Sequence, residues 1–216
     1  MAGERTDAAW FDQAVRAHRL IAILRAPRPT HVAAAAEVLV AHGVRLLEVT
    51  LTGEDPLRGL RACGHLQSDD VIIGAGTVVT AEQAQAAADA GARYLVTPAC
   101  IPEVIEEAQR LGLPVLPGAL TPSEILSCVR LGASIVKLFP ASLGGPRYLK
   151  DVRAPLPDIP LVPTGGIGVE DISAYLAAGA VAVGMGSPLT GDALETGVFD
   201  EVETRVAGAL ARCAAP

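Results

Sequence analysis

The segment "SIVKLFP" sets one lysine, Lys137, inside an otherwise apolar run. A cationic side chain there pays for desolvation unless it is paired, and removal from water favours the neutral amine, the form that attacks a ketone. A structural ion pair, or a lysine whose head reaches water from a strand end, explains the same run. Composition sharpens the question, because Lys137 and Lys150 are the only lysines among 17 basic Lys and Arg residues. Glu48 occupies a matching place in "LLEVTLTG". A lysine and a glutamate held in one interior exchange protons and titrate as a pair; the plainer reading is a salt bridge.

Three glycine-rich stretches follow these apolar runs: "GAGTV", "PTGGIG" and "GMGSP". Backbone N–H groups in such loops hold phosphate, which makes Gly165, Gly166, Gly186 and Ser187 phosphate candidates. Gly74 and Gly76 read instead as glycines of tight turns. The hydroxyls of Thr77 and Thr164 suit a carboxylate or a keto oxygen. Arg25 ends the run "IAILRA", where its planar fork suits a carboxylate, with a surface arginine as the competing reading. His18, His31, His42 and His65 all fall in the first third of the chain, on helical segments or their edges. Cys63, Cys100, Cys128 and Cys213 form no C-x-x-C pair, so they read as reduced, mostly buried thiols. No metal and no cofactor is expected.

These candidates need a scaffold. A helix end, a glycine and an apolar run recur as "AHGVRLLEVT", "DAGARYLVTP", "RLGLPVLPG", "RLGASIVKLFP" and "AAGAVAVGMG". The glycines lie one or two units of roughly 20 to 24 residues apart, the length of one strand plus one helix in a parallel α/β repeat. The pattern predicts strands at Leu20–Leu24, Leu46–Thr50, Val71–Gly74, Tyr94–Val96, Val115–Leu116, Ile135–Leu138, Leu161–Pro163 and Ala180–Val183. Helices are predicted at Val32–Ala41, Ala81–Ala90, Pro102–Leu111 and Pro122–Leu131, with Thr30, Thr80 and Thr121 as capping residues. Strands that are apolar throughout are buried on both faces. Eight such units predict a single α/β domain over residues 1–216, a closed (β/α)8 TIM barrel whose reactive groups sit at the C-terminal ends of the strands. Residues before about Trp10 and after Cys213 read as termini.

The chain is 216 residues long, 50% hydrophobic, with a net charge of -7. That length fits one domain, and the acidic balance argues against nucleic acid or an acidic membrane surface as partner. No apolar stretch reaches the roughly 18 residues of a membrane span, and no basic leader precedes an apolar one. A cytoplasmic protein is expected, and an anionic small substrate stays open, because a few local donors can outweigh a distant negative surface.

Taken in order from about Leu20 to Leu189, "LEVT", "GAGTV", "VTPA", "PG", "VKLFPAS", "GPRYLK" and "PTGGI" resemble the 2-keto-3-deoxy-6-phosphogluconate (KDPG) and 4-hydroxy-2-oxoglutarate (KHG) aldolase family, which includes 6-phosphogalactonate relatives. The resemblance implies a class I aldolase, a cytoplasmic homotrimer with Lys137 as the Schiff-base lysine and Glu48 as general acid/base. It implies that Thr77, Phe139 and Thr164 line the pyruvate end, while Gly165, Gly166, Gly186 and Ser187 hold the phosphate of a keto-acid sugar phosphate. One departure stands out: some members carry an arginine two residues after the "EVT" threonine, and here that place is Thr52. Arg25 is the expected substitute. Rival readings are a phosphate-binding isomerase or synthase with Lys137 as a non-covalent acid/base, and a catalytically silent sugar-phosphate-binding barrel.

Overall fold

In the computed structural model, which describes residues 9–214, helices and parallel strands alternate along the chain. The strands are β1 (Leu20–Leu24), β2 (Leu46–Thr50), β3 (Ile72–Gly76), β4 (Leu95–Val96), β5 (Val115–Leu116), β6 (Gly118–Ala119), β7 (Val136–Leu138), β8 (Leu161–Pro163) and β9 (Val183–Met185). The helices are α1 (Ala9–His18), α2 (Val32–Ala41), α3 (Pro56–Ala62), α4 (Ala81–Asp89), α5 (Pro102–Arg110), α6 (Pro122–Arg130), α7 (Gly145–Arg153), α8 (Ile172–Ala177), α9 (Ser187–Thr190), α10 (Ala193–Thr196) and α11 (Val202–Ala214). The expected termini fall largely on residues 1–8 and 215–216, outside the described residues.

The strands gather into a six-stranded parallel sheet, β5-β4-β3-β2-β1-β9, and a three-stranded one, β6-β7-β8. The result is a half-barrel and an adjoining ladder where the sequence predicts one ring. The interruption lies at Pro117, which has no N–H to give to a ladder. The next N–H, that of Gly118, is taken by the Thr97 hydroxyl at 3.2 Å. At the other margin the Val181 N–H donates to the Leu161 carbonyl at 3.1 Å, and an isolated parallel bridge pairs Thr164 with Gly184.

Side chains of a strand alternate between its faces, and burial divides accordingly. Ile21, Leu46, Ile72, Tyr94, Leu116, Ile135, Val162 and Ala182 form one apolar cluster, closed by Phe11 and Val15 of α1. Their alternates, such as Leu47, Ile73, Val136 and Leu161, pack in the cluster shared with the helices. The first set therefore faces the space enclosed by the strands. Two residues beyond Leu46, Ile135 and Val162 come Glu48, Lys137 and Thr164, on that same inward face and nearer the C-terminal strand ends.

Strand and helix ends follow local chemistry. Gly43, Gly91, Gly112, Gly132 and Gly179, the glycines of the recurrent phrase, all have positive φ, from 70° to 102°. They are left-handed residues that end helices, a conformation glycine enters without steric cost. Thr121 caps α6 in a reciprocal capping box with Glu124, and the Thr80 hydroxyl accepts the Gln83 N–H of α4. Thr30 is no cap: it lies inside a short 3-10 turn, Pro29–His31, and His31 precedes α2 without a side-chain cap bond. The third strand runs to Gly76, two residues past its predicted end. The last begins only at Val183, because pairing with β1 starts where the Val183 N–H meets the Arg19 carbonyl, while the Ala180 N–H still closes the α8 helix end on Tyr175.

Candidate active site

Glu48 and Lys137 are buried, at 1% and 4% exposure. Glu48 stands on β2 between the registers of Ile23 on β1 and Gly74 on β3. Lys137 stands on β7 between Gly118 on β6 and Val162 on β8. Among the described residues no ion pair joins them; the pairs that form, such as Arg45 with Asp70 at 2.6 Å, lie at the surface. The Glu48 Oε1 is buried with no hydrogen-bond partner among the described residues. An orphaned carboxylate oxygen at that depth costs about 1–3 kcal/mol or more. The plain salt-bridge reading of the two residues is therefore not what the fold builds.

Glycine makes the room for Glu48. A Cβ placed on Gly76 would stand 1.9 Å from Glu48 Oε1 and 2.3 Å from its Cδ, and one on Gly74 would stand 2.5 Å from the Tyr94 ring. The turn reading of Gly74 and Gly76 is thus corrected: both lie in β3, neither needs positive φ, and each is small because a neighbour occupies its side-chain space. Tyr94, fully buried, donates its phenol to the Leu47 carbonyl at 2.8 Å and stacks on Phe11 at 4.6 Å between centroids. Burial, and then the charge of Glu48, push that phenol well above its usual range.

Around Lys137 the arrangement is equally close. The Nζ sits 5.1 Å from the centre of the Phe139 ring, a distance at which the ring face attracts a cation. The Phe139 ring in turn covers Gly165: a Cβ there would be 3.0 Å from Phe139 Cε2. The Phe139–Pro140 peptide is cis. Thr164, 4% exposed, lies against Gly184, where a Cβ would be 2.4 Å from its Oγ1. Gly165 and Gly166 have φ of 91° and 70°. No acceptor among the described residues meets the N–H of Gly166 or Gly186. Ser187, exposed, opens the single turn of α9 directly after Gly186.

Arg25 is exposed just past β1 and donates from Nη2 to Thr77 Oγ1 at 3.3 Å. Thr77 holds φ of 58°, a strained conformation for a β-branched residue of the kind that clusters at functional sites. Thr52, the departure from the family's arginine, is bonded to Thr50 at 2.9 Å between hydroxyls. Three groups result: Lys137, Phe139, Thr164 and Gly165 around β7 and β8; Glu48 with Gly76 on β2 and β3; Arg25 with Thr77 at the rim. Sequence reasoning missed Tyr94 and Thr97, both wholly buried polar residues. Thr97 donates to the Ala99 carbonyl at 2.5 Å while accepting from Gly118, the position beside Lys137. The signal available was a polar residue within the apolar phrase "RYLVTP".

The four histidines lie at α1's last residue, in two 3-10 turns and at the end of α2, and no cluster of metal-ligating side chains forms among the described residues. The cysteines are free thiols; Cys63, Cys128 and Cys213 are buried and Cys100 half-buried. No helix of the described residues is long and apolar enough to cross a membrane.

Comparison with known proteins adds relatives to this geometry. A family model described as KDPG and KHG aldolase matches residues 11–205. A probable 2-dehydro-3-deoxy-6-phosphogalactonate aldolase of Rhizobium meliloti is 35% identical over 89% of this chain and 90% of its own. A 2-dehydro-3-deoxy-phosphogluconate aldolase of Pseudomonas aeruginosa is 36% identical over 78% of this chain and 77% of its own. A solved KDPG aldolase of Legionella pneumophila, with pyruvate captured as a covalent carbinolamine, superposes with a TM-score of 0.81 at 28% identity, covering 93% of this chain and 96% of that one.

Proposed function

The chain belongs to the KDPG and KHG aldolase family, a family of carbon–carbon lyases, and from that premise we propose that it cleaves 2-dehydro-3-deoxy-6-phosphogluconate to pyruvate and D-glyceraldehyde 3-phosphate through a Schiff base on Lys137. The observation that carries this reading is a buried lysine and a buried carboxylate with an orphaned oxygen, on the same inward face and in the same layer of the strands.

In this mechanism the Lys137 amine adds to the C2 ketone, and the carbinolamine loses water to give a protonated imine. Glu48, through a bound water, takes the proton of the C4 hydroxyl. The C3–C4 electron pair moves into the iminium, D-glyceraldehyde 3-phosphate departs, and an enamine remains. Protonation at C3 and hydrolysis then free pyruvate and the amine. The iminium is the electron sink of the reaction. Phe139, Thr77 and Thr164 bound the pyruvate end, Arg25 grips its carboxylate, and Gly165, Gly166, Gly186 and Ser187 hold the phosphate. Support for the covalent step comes from the pyruvate carbinolamine of the Legionella relative.

A second reading, favoured by the name of the Rhizobium relative, is the galactonate epimer as substrate; 4-hydroxy-2-oxoglutarate is the third. The same proposal carries a closed (β/α)8 barrel forming one domain over residues 1–216, supported by the β9–β1 pairing and the Thr164–Gly184 bridge. It also carries a cytoplasmic homotrimer with neither a nucleic-acid nor a membrane partner, which sedimentation of the purified chain tests.

The decisive experiment is incubation with pyruvate and borohydride, then peptide mapping. The adduct is expected on Lys137 and not on the exposed Lys150. No adduct on Lys137, or normal turnover by Lys137→Met, overturns the aldolase mechanism; Lys137→Arg retaining sugar-phosphate binding without turnover separates catalysis from mere binding. A panel of the three substrates ranks specificity.

A further inference from the structure

Ser142 follows the cis-proline corner after β7, and the backbone clamps it along the Gly165–Gly166 loop: the Ala141 N–H donates to the Thr164 carbonyl at 2.8 Å and the Ser142 N–H to the Gly165 carbonyl at 3.1 Å. The buried Ala141 is held again by the Tyr175 phenol, which donates to its carbonyl at 3.2 Å. The Ser142 side chain consequently lies over the bare Cα of Gly166. A Cβ on Gly166 would stand 2.6 Å from Ser142 Cβ and 2.9 Å from its Oγ. Ser142 is exposed, and its hydroxyl has no hydrogen-bond partner among the described residues.

The nearest backbone donor is also unspent. The Gly166 N–H meets no acceptor among the described residues, while Gly165 is tied into the strands by the bridge that pairs Thr164 with Gly184. The carboxylate groups nearest along the chain lie against Gly168, where Asp171 Oδ2 accepts the N–H at 3.0 Å. A serine O–H fixed by its backbone, beside the unpaired Gly166 N–H, adds a second donor to one anion site, and charge-assisted bonds of this kind exceed neutral ones in strength.

We propose that the Ser142 hydroxyl is a specificity-determining contact to the substrate's phosphate, selecting phosphorylated over unphosphorylated keto-acid substrates. The inference rests on the phosphate placement proposed above. Its readout is the ratio of kcat/KM for the phosphorylated substrate to that for 4-hydroxy-2-oxoglutarate, together with the inhibition constant of inorganic phosphate against the former. Ser142→Ala is expected to lower the ratio about tenfold, the weight of one hydrogen bond to a charged group. It should weaken inhibition by inorganic phosphate in parallel. Ser142→Asp sets like charge against the phosphate and should lower the ratio further, by an amount that shrinks as salt rises. Ser142→Thr keeps the hydroxyl and should restore most of it.

Ratios within twofold of the wild type for both Ser142→Ala and Ser142→Asp overturn the role of Ser142 while leaving the aldolase reading intact. A wild-type enzyme that traps pyruvate on Lys137 but shows no preference for the phosphorylated substrate removes the phosphate site, and Ser142's role with it. Failure of trapping itself strikes the reaction rather than this contact.

Discussion

Gly76→Ala tests whether the place of the Glu48 carboxylate, and not merely its presence, governs the chemistry. Gly76 lies in a strand without positive φ, so alanine meets no backbone strain there. Its new methyl would stand 1.9 Å from Glu48 Oε1, and ordinary contact begins at 3.4 Å, so the carboxylate must retreat by about 1.5 Å. Misplacing a reacting group by about 1 Å costs on the order of 10²-fold. Complete loss of a general acid/base costs about 10²–10⁴-fold. We predict kcat lowered about 10²- to 10³-fold, measured by coupling pyruvate release to NADH oxidation, while borohydride still traps pyruvate on Lys137. Overpacking should remove about 1–3 kcal/mol of stability, which urea denaturation reads separately. The double-mutant cycle with Glu48→Ala isolates the cause: if the methyl acts through the carboxylate, Gly76→Ala adds little in the Glu48→Ala background. A folded Gly76→Ala enzyme with kcat within twofold of wild type, or a loss fully additive with Glu48→Ala, would refute the reasoning.

Arg25→Ala, which removes the rim cation bonded to Thr77, is expected to raise the KM for substrate and the Kd for pyruvate about tenfold; unchanged values would mean that another group replaces the arginine absent at Thr52. Thr97→Val leaves the Gly118 N–H and the Ala99 carbonyl without their partner, so chemical denaturation should show a loss of about 1–3 kcal/mol, with Thr97→Ser recovering most of it. The Tyr94 phenol is raised above its ordinary value of 10.0, first by burial and then by Glu48. A raised folded-state value means that its contribution to stability is whole below pH 10 and is lost as pH climbs through the folded value. Tyr94→Phe should therefore flatten the alkaline fall in stability, at a cost of about 1 kcal/mol at neutral pH for the bond to Leu47; parallel alkaline profiles for the two proteins would place the effect elsewhere.

Sequence alone determined what local rules govern. The five recurrent glycines had to end helices, because each follows a helical run and precedes an apolar one, and all five adopt positive φ. Lys137 and Glu48 stood out because a charge within an apolar strand has no cheap explanation, and both prove buried. What the chain could not disclose were relations across strands. Gly74 and Gly76 read as turns because a glycine's reason can lie in a neighbour's side chain: here the Tyr94 ring and the Glu48 carboxylate, 20 and 28 residues away along the chain. The break at Pro117 was visible as a proline, but the repair, a hydroxyl from Thr97 substituting for a ladder carbonyl, depends on which strand lies alongside. Ser142 reads as an ordinary polar residue until the backbone lays it over Gly166. Residue type and period fix an element and its buried face through short-range sterics and hydrophobicity. Which orphaned polar atoms and bare Cα atoms share one enclosed space is decided only when strands distant in sequence take their register.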